Sequence, residues 1–428
     1  MMEFPTYPEY ESTQISWLPK YPANWEVRRL KFMSSIQNGF DYKHVELDQS
    51  EDGYPVYGSG GKFRKASAYL YDGESILYGR KGTIDKPLYV KGKFWTVDTM
   101  FYSEIDQSVF GRFMYYSALT IQYQYLATQT ALPSITQYDL SNYWLCYPSY
   151  NEQTQIAQFL DYKTAQIDQL IEKKKNLIEK LNEQRIAVIT QAVTKGLNPD
   201  TPMKDSQVDW LGEVPEHWEV VKFKYYVGFQ EGPGIMAVDF RDEGVPLIRI
   251  RNVQNEYVDL NGCNFLDPKK VEKTWGHFKC QLGDLIISGS ASTGLISEIS
   301  KDNVGAIVYT GLIRLWKLAN ISKEFIRWYV SSNTFFSQVN RFKTGSTIQH
   351  FGPEHLRQML ICLPPKSEQD FIVNHLEKET KKIDNMLKIN NKTIDRLNEY
   401  RTALITAAVT GKIDVRDIDI PQPEAALC

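Results

Sequence analysis

Cysteine is scarce in this sequence and is never clustered. Among 428 residues there are five, at Cys146, Cys263, Cys280, Cys362 and Cys428. None stands in C-x-x-C spacing, and the six histidines neither form H-x-x-x-H nor meet cysteine at the spacing of a zinc site. A disulfide framework and a zinc motif are therefore excluded. The pattern is typical of a reduced, cytosolic protein in which cysteines pack as small apolar residues.

Long apolar runs and a basic leader are also absent. No apolar run approaches the ~20 residues that a membrane-spanning helix needs. The opening MMEFPTYPEYESTQ is acidic and lacks a basic segment followed by an apolar one, so no signal peptide is visible. The sequence therefore predicts a cytoplasmic location.

An excess of positive charge is missing as well. The chain has 49 Lys and Arg against 52 Asp and Glu, for a net charge of −3. Residues 1–150 carry 14 basic and 16 acidic side chains, and residues 201–365 carry 18 of each. A DNA-binding role would therefore require positive groups gathered on one face, or supplied by a partner.

Known catalytic patterns are not found. The chain has no G-x-x-x-x-G-K-[ST] phosphate loop, no Rossmann-type glycine cluster after a strand, and no N-P-P-Y or D-P-P-Y tetrapeptide of the amino-methyltransferases. A nuclease-like string, EKETKK at 377–382, lies on the charged face of a helical pattern, where a solvated face is the better explanation. We expect no catalytic residue and no metal site in this chain.

What the chain does contain is a large internal repeat. WLPKYPANWEV from Trp17 and WLGEVPEHWEV from Trp210 share two tryptophans, a proline and the closing W-E-V at an offset of 193. The ends of the two halves, from Tyr147 and from Leu363, match without a gap at an offset of 216. Two copies of about 200 residues exclude a solenoid. We expect the tryptophans to be buried core residues rather than exposed stacking groups.

Each copy ends in a long helical pattern close to a 3.5-residue repeat, which predicts a coiled coil. Ile171, Ile178, Leu387 and Ile394 widen the apolar stripe, and the polar Lys174 and Asn390 occupy matching seam positions. From Ile156 to Val193 the helix would be about 57 Å long. The predicted seam and subunit-docking residues are Ile156, Leu160, Ile167, Leu170, Leu177, Leu181, Val188, Ile372, Leu376, Ile383, Met386, Leu397 and Leu404.

The orientation of the two helices follows from the linker. The fourteen residues from Thr194 to Gln207 reach at most about 50 Å. Parallel helices would require the chain to return along a whole helix, whereas antiparallel helices need only a corner. The predicted fold class is therefore α+β and internally duplicated, with two β-rich domains separated by two long helices that form an antiparallel coiled coil.

The predicted division of the chain follows the repeat. Strand patterns with β-branched and aromatic residues fill the segments in front of the helices, and polar loops such as ATQTALPSIT and KTGSTIQHFG precede a closing apolar strand. The predicted parts are a first globular domain 1–147, a first long helix 148–196, a linker 197–207, a second globular domain 208–363, a second long helix 364–413 and a tail 414–428.

These motifs resemble the specificity (S) subunits of type I restriction–modification systems. The resemblance rests on W-L-G-x-x-P-x-x-W at Trp210–Trp218, its looser copy at Trp17–Trp25, and the Glu-Gln pair that opens each long helix. The helix ends LNEQRIAVITQAVTKGL and LNEYRTALITAAVTGKI complete it. It covers almost the whole chain. Pro19 stands where the motif usually has Gly, which would alter a local turn.

The resemblance implies a non-catalytic subunit of a larger complex. Each globular domain would be a target recognition domain that reads one half of a bipartite, asymmetric site in double-stranded DNA. The long helices would set the spacing and bind two methyltransferase (M) subunits, which carry S-adenosylmethionine. Restriction (R) subunits would bring ATP and Mg, so no cofactor is expected in this chain. A fused methyltransferase or nuclease is the enzymatic alternative, and a coiled-coil scaffold without a DNA role is the structural one.

Candidate DNA-contacting residues follow from side-chain chemistry. Arg suits bidentate contact to guanine, and Lys and small polar groups suit phosphate or base edges. In the first domain the candidates are Arg64, Lys65, Arg80, Lys81, Gln129 and Thr130. In the second they are Arg249, Arg251, Asn252, Ser290, Thr293, Lys343, Ser346, Thr347, Gln349 and His350.

Overall fold

The structure, a computed structural model, consists of two compact units. It describes residues 4–48, 50–128, 130–254, 256–289, 296–342 and 351–421. The first unit comprises Met1–Lys175 with Asn391–Cys428, and the second comprises Asn176–Asn390. Each unit therefore contains a globular part together with a segment of each long helix.

The first unit is built on a seven-stranded sheet. The strands of the whole unit are β1 (Tyr10–Ile15), β2 (Leu18–Pro22), β3 (Glu26–Arg29), β4 (Ser34–Asn38), β5 (Glu46–Leu47), β6 (Tyr54–Gly58), β7 (Gly61–Ala66), β8 (Tyr71–Gly79), β9 (Leu88–Thr96), β10 (Met100–Ile105) and β11 (Trp144–Tyr147). Its helices are α1 (Gly111–Ala118), α2 (Tyr123–Leu126), α3 (Gln137–Ser141) and the start of α4 (Tyr150–Lys195). The sheet has the order β4-β10-β8-β9-β6-β7-β5, and β1–β2 and β3–β11 form separate ribbons.

The second unit has two four-stranded sheets. Its strands are β12 (Met203–Asp205), β13 (Glu213–Pro215), β14 (Glu219–Lys222), β15 (Val227–Glu231), β16 (Phe240–Arg241), β17 (Val245–Ile248), β18 (Asn264–Leu266), β19 (Leu285–Ser288), β20 (Ile296–Glu298), β21 (Ile307–Val308), β22 (Leu312–Lys317) and β23 (Leu360–Leu363). Its helices are α5 (Pro268–Lys270), α6 (Lys323–Val330), α7 (Asn333–Phe342), α8 (Pro353–Leu356) and most of α9 (Lys366–Val409). The sheet orders are β15-β22-β19-β20 and β16-β18-β17-β21, with ribbons β12–β13 and β14–β23.

The middle of each central strand is buried on both faces, which explains the consecutive apolar residues at Ile76–Tyr78 and Leu285–Ile287. In β8, Ile76 and Tyr78 point into the main core beneath α1, while Leu77 between them joins a second cluster on the opposite face. In β19, Leu285 and Ile287 likewise face one core, and the residue between them faces another. The two-residue alternation of a strand thus supplies both cores at once.

The internal repeat is reproduced in the strand register. Tyr10 pairs with Pro22 in the first hairpin, and Met203 pairs with Pro215 in the second, at the sequence offset of 193. The ribbon that follows pairs Glu26 with Tyr147, and its copy pairs Glu219 with Leu363. The two units therefore share one framework, and the predicted duplication is confirmed.

The two copies differ where the sequence motif differs. Gly212 has a φ of +65°, in the left-handed region that favours glycine, and β13 begins after it. Pro19, at the matching position, lies inside β2 instead. The departure from the motif changes the local structure, as expected: the register of the first hairpin shifts between Ser12 and Ile15, although its Tyr10–Pro22 pair still matches Met203–Pro215.

The prediction that the tryptophans of the repeated motif are core residues holds fully for the second tryptophan of each copy, whereas Trp17 and Trp210 are partly buried against the cores. Trp25 and Trp218 are buried in their respective units. The Trp218 indole N–H donates to Glu368 at 3.0 Å, and Tyr7, which packs on Trp25, donates its hydroxyl to Glu152 at 2.7 Å. The opening segment of each copy is thereby tied to the first turn of the long helix that ends the same copy.

A buried glutamine follows each of these glutamates and joins the helix to the globular part. Gln153 and Gln369 are fully buried. Their side-chain oxygens accept the backbone N–H groups of Phe110 and Ser322, each at 2.8 Å. Their side-chain nitrogens donate to the proline carbonyl before the helix, at 2.9 and 3.0 Å. Because a buried amide needs all its partners, this pair explains why Glu-Gln opens both helices.

The long helices α4 and α9 pack against each other in antiparallel orientation. In the first unit Arg401 pairs with Asp168 at 3.0 Å, and in the second Arg185 pairs with Asp384 at 2.9 Å. Seventeen residues separate Asp168 from Arg185 along α4, and seventeen separate Arg401 from Asp384 in the opposite direction along α9. The predicted antiparallel coiled coil is confirmed.

The buried positions of both helices follow a regular heptad with alternating steps of four and three residues. The residues of α4 at these heptad positions, all buried or half-buried, are Leu160, Thr164, Ile167, Ile171, Lys174, Ile178, Leu181, Arg185, Val188 and Ala192. Their copies in α9, 216 residues later, are Leu376, Thr380, Ile383, Leu387, Asn390, Ile394, Leu397, Arg401, Leu404 and Ala408. Lys174 and Asn390 therefore do occupy matching seam positions, and Ile156 and Ile372 are buried beyond the series.

Three predicted seam residues are wrong. Leu170, Leu177 and Met386 are 42%, 40% and 50% exposed. Ile171, Ile178 and Leu387 take the corresponding seam positions. Both phases of the repeat carry apolar residues, so the sequence pattern alone did not distinguish the seam from the face beside it.

The segment after α9 packs on the first unit. Ile413, Val415 and Ile418 join its core, and the N–H of Asp414 donates to the carbonyl of Pro5 at 2.7 Å. Gly411 has a φ of +69°, and a Cβ there would lie 2.3 Å from Pro22. The part of the predicted tail up to residue 421 is therefore a packed element. No helix in the described ranges combines the length and apolar character needed to cross a bilayer.

The seam assignment predicts different outcomes for two leucines four residues apart. Leu181→Asp places an unpaired charge in a buried position, which should cost about 3–5 kcal/mol and lower the thermal unfolding midpoint. Leu177→Asp changes an exposed side chain and should cost no more than about 0.5 kcal/mol. Far-UV circular dichroism of both purified variants would test this. Equal losses in the two variants would contradict the heptad assigned here.

Candidate nucleic-acid interface

In the first unit, the turn after β8 meets the polar loop before α3. The N–H groups of Arg80 and Lys81 donate to the carbonyl of Thr99 at 2.8 and 3.3 Å, and Ile135 donates its N–H to the carbonyl of Arg80 at 3.0 Å. Gly79 allows this turn, since a Cβ there would lie 2.1 Å from the carbonyl oxygen of Thr83. Two segments that the sequence separates by about fifty residues thus form one surface.

The candidate side chains of this surface are accessible. Arg80 is half-buried, with its guanidinium 5.6 Å from the ring of Phe101 and 3.4 Å from the carbonyl of Asp98. Lys81 is exposed. Thr130 is exposed and donates its hydroxyl to the carbonyl of Leu132 at 2.8 Å. Gln129 lies outside the described residues. A planar cation held by a ring, beside a flexible cation and a hydroxyl, can contact base edges and phosphates.

Arg64 and Lys65 are placed elsewhere. They lie on β7, three strands from β8 in the sheet, which corresponds to about 14 Å. Arg64 forms an ion pair with Glu46 at 3.1 Å, and the Lys65 ammonium donates to the carbonyl of Glu51 at 2.6 Å. The structure therefore does not gather them with Arg80, and the charge of Arg64 is already compensated.

In the second unit, the candidates lie on a one-turn 3-10 helix, Ile250–Asn252, that follows β17. The guanidinium of Arg249 lies 5.7 Å from the ring of Phe240 and 5.5 Å from that of Tyr309. Arg251 is exposed and donates to the carbonyl of Gly262. Like Arg80, Arg249 is held against aromatic rings, although the loop around it has a different sequence and shape.

Asn252 is a correction to the predicted set. Its side chain is 1% exposed. The amide nitrogen donates to the carbonyl of Asp259 at 2.8 Å, and the amide oxygen accepts the N–H of Arg249 at 3.0 Å. A side chain closed into its own loop does not reach a DNA groove, so Asn252 shapes the turn that presents the two arginines.

The remaining candidates of the second unit fall in stretches that the structure does not describe. They are Ser290, Thr293, Lys343, Ser346, Thr347, Gln349 and His350. They stay predictions.

The sequence argument missed one kind of exposed residue. Phe32 and Tyr225, which are 63% and 62% exposed, follow Lys31 and Lys224 at the repeat offset of 193. Aligning the two halves residue by residue would have revealed this recurring lysine–aromatic pair.

The four cysteines in the described part of the chain show no sign of an activated thiol. Burial raises the pKa of Cys146, Cys280 and Cys362 to about 12. Burial also raises the pKa of Cys263, although the charge of the neighbouring Arg251 acts in the lowering direction. In the described ranges, no three or more His, Cys, Asp and Glu side chains gather closely enough to hold a metal ion.

The duplicated framework corresponds to a known family. The family model described as "Type I restriction modification DNA specificity domain" matches residues 22–180 and again residues 215–398. The chain belongs to the type I restriction-modification DNA specificity family. The family model matches twice because the chain holds two copies of one framework.

Relatives of similar length share this family. The type I restriction enzyme MjaVIII specificity subunit of Methanocaldococcus jannaschii is 25% identical over 94% of this chain and 95% of its own length. The EcoBI specificity subunit of Escherichia coli is 21% identical over 95% of this chain and 90% of its own. A chain from a solved structure of a type I R-M system superimposes with a TM-score of 0.69 over 92% of this chain and 99% of its own. At 12% identity, that likeness concerns the fold.

The difference between Asn252 and Arg251 can be tested directly. Asn252→Ala removes a buried amide and leaves backbone groups unpaired, which should cost about 1–3 kcal/mol of stability. Arg251→Ala should leave stability within about 0.5 kcal/mol and weaken DNA binding instead. Thermal unfolding and a DNA-binding titration of both variants would check this. A stable Asn252→Ala protein with altered DNA preference would contradict the structural role.

Proposed function

We propose that this specificity-family chain is the DNA sequence-recognition subunit of a type I restriction–modification complex and catalyses no reaction itself. The proposal rests on one observation: the two units share a framework but carry different surfaces. The ribbons of the two units and three pairs of their opening hairpins have equivalent registers, whereas the turns at Arg80 and at Arg249 differ in sequence and contacts. Such a protein can read two different half-sites.

The chemistry of the two turns suits base readout. Arg80 and Arg249 are each placed beside aromatic rings that limit the motion of the guanidinium. A restrained, planar donor is well matched to the O6 and N7 acceptors of guanine in the major groove. Exposed Lys81 and Thr130 suit phosphate contacts, which position a protein on the duplex. We assign Arg80 to one half-site and Arg249 with Arg251 to the other.

The helix pair supplies the proposed spacing and subunit docking. Its buried heptad holds α4 and α9 together, while Leu170, Leu177, Ile186, Met386 and Ile389 leave apolar surface exposed. Apolar side chains on an otherwise charged helix face suit a protein partner. We propose that two methyltransferase subunits bind these helices and carry S-adenosylmethionine, and that restriction subunits with ATP and Mg join through them. The complex would act in the cytoplasm.

The alternative is a fused methyltransferase or nuclease with its own catalytic site. The two are distinguished by supplying S-adenosylmethionine and DNA to the purified chain with and without its methyltransferase subunit. We expect methyl transfer only with that subunit present. Methyl transfer by the isolated chain would refute the non-catalytic assignment.

Specificity should be separable by unit. Arg80→Ala removes one base contact, with a cost of about 1–3 kcal/mol at that position. Methylated adenines are mapped in cells that carry the chain with its methyltransferase subunit. The map should show a relaxed base preference in one half-site and an unchanged preference in the other. Arg249→Ala is the matched control, and its change should fall in the other half-site. Equal loss in both half-sites would contradict the modular reading.

The helices should act as a ruler. Inserting seven residues after Lys174 and seven after Asn390 preserves the heptad phase in both helices and adds about 10.5 Å. At ~3.4 Å per base pair, the unspecified spacer should lengthen by roughly three base pairs while both half-sites remain unchanged. Four-residue insertions at the same points shift the heptad phase and should disrupt assembly. The same methylation mapping measures both outcomes, and an unchanged spacer in the seven-residue variant would rule out the ruler.

A further inference from the structure

One exposed surface element is duplicated with little change. Each copy has a one-turn 3-10 helix after the strand of its ribbon, Leu30–Phe32 and Phe223–Tyr225. The first residue of each is fully buried, and its N–H donates at 2.8 Å to the residue that precedes the partner strand. The last residue is an aromatic ring that is 63% exposed in one copy and 62% in the other. Large exposed rings at equivalent positions are not explained by packing.

A lysine lies against each ring. The ammonium of Lys31 is 5.3 Å from the ring centre of Phe32, and that of Lys224 is 5.2 Å from the ring centre of Tyr225. The backbone after each turn has nearly the same conformation, with φ and ψ of −112° and −24° at Met33 and −116° and −24° at Tyr226. The backbone thus presents one lysine–aromatic pair in the same way twice.

Each pair belongs to a basic cluster without a carboxylate partner. Arg29 and Lys31 both donate to the side-chain oxygen of Asn142, at 3.1 and 3.0 Å. In the second copy Lys222 and Lys224 stand at the matching positions. Within the ranges that the structure describes, none of these four cations forms an ion pair with Asp or Glu. A neutral amide oxygen that holds two cations leaves their charge available to an anion.

In the first copy the cluster is close to the polar loop. In the first unit, Asn142 directly follows α3, a helix of five residues that begins after the loop packed on Arg80. Five helical residues span about 8 Å. In the second copy, Gln358 stands at the position of Asn142, and α8 connects it to the segment that carries the other polar loop. The same order of polar segment, short helix and amide along the chain therefore occurs twice, although Gln358 donates to the carbonyl of Glu354 at 3.5 Å where Asn142 accepts from two cations.

We propose that these two elements, Lys31–Phe32 and Lys224–Tyr225 with their flanking cations, are anchors for the DNA phosphate backbone. This inference rests on the proposed function. Features that differ between the copies can distinguish half-sites, whereas a feature that is the same in both must contact something that is the same at both. The sugar–phosphate backbone meets that condition, and uncompensated cations are the groups that bind it. An acidic surface of a partner subunit is the competing occupant.

The experiment compares salt dependence on two DNA molecules. The complex of this chain with its methyltransferase subunit is titrated with a short duplex that carries its methylation motif and with a duplex of equal length in which both half-sites are scrambled. For Lys31→Gln combined with Lys224→Gln, the slope of log affinity against log salt should fall by about 1.8, since each lost phosphate contact contributes about 0.9. The fall should be equal on both duplexes, and the ratio between their affinities should not change.

The matched control removes two lysines with the same local chemistry at positions that the repeat does not duplicate. Lys20 lies 4.5 Å from the ring of Tyr10, and Lys93 lies 4.8 Å from that of Tyr69. Lys20→Gln combined with Lys93→Gln should leave the slope unchanged. Phe32→Ala combined with Tyr225→Ala should weaken binding to both duplexes by the same factor. Because both rings are exposed, their loss should not disturb the core.

The outcomes separate this inference from the proposed function. An unchanged slope in the double lysine variant overturns the anchors, as does an equal fall in the control. If the double lysine variant no longer binds the methyltransferase subunit while its DNA slope is unchanged, the elements contact the protein partner. That result also overturns the proposal that they bind DNA. If the unaltered complex does not prefer its motif to the scrambled duplex, the recognition function fails, and the slope on the scrambled duplex still tests the anchors.

Discussion

The packing of α4 against α9 is the constraint on which the rest of the structure depends. The burial of Ile167, Ile171 and Leu181 in α4, and of Ile383 and Leu404 in α9, supplies most of the free energy of association. The ion pairs of Arg185 and Arg401, half-buried residues of the heptad whose carboxylate partners are exposed, contribute little by themselves. The ion pairs instead help to set the register, since Asp168 meets Arg401, and Arg185 meets Asp384, when the two heptads are in phase. Thr164 and Thr380 bond back to the carbonyls of Leu160 and Leu376, so these polar seam residues carry their own partners.

The seam acts on the globular parts through the first turn of each helix. Gln153 and Gln369 are buried and use both ends of the amide to connect the helix to the segment in front of α1 or α6. Substitution would leave several buried backbone groups unpaired, which is more costly than the loss of one exposed hydrogen bond. Glu152 and Glu368 add a second connection, although the first receives a tyrosine hydroxyl and the second an indole N–H. Two different donors thus satisfy one geometric requirement, which is why the acidic residue is retained while its partner differs.

The sequence specified the framework much better than it specified the surface. The repeat offset predicted the duplication, and equivalent hairpins and ribbons accompany it because strand register is set by the alternation of buried and exposed residues, and a shift of one residue would reverse both faces. The heptad phase was missed at Leu170 and Leu177, because leucine and isoleucine are adjacent in both helices and either can face the seam. Asn252 was wrongly predicted to contact DNA, because a loop asparagine looks the same in the sequence whether its side chain closes the loop or faces solvent. The meeting of Arg80 with the loop before α3 depends on sheet order, which no local pattern contains.

The comparison of the two copies separates what the fold needs from what differs between them. Residues that agree at the repeat offset include buried ones such as Trp25 and Trp218, whose identity follows from packing. The exposed pairs at Phe32 and Tyr225 also agree, and packing gives no reason for that agreement. Arg80 and Arg249 share a chemical setting, a guanidinium beside aromatic rings, without sharing a position in the repeat. If agreement on the surface reflects a common contact and disagreement reflects a different one, a single duplicated chain contains its own internal control. The part of the surface that varies between the units is then the part able to carry two different specificities on one framework.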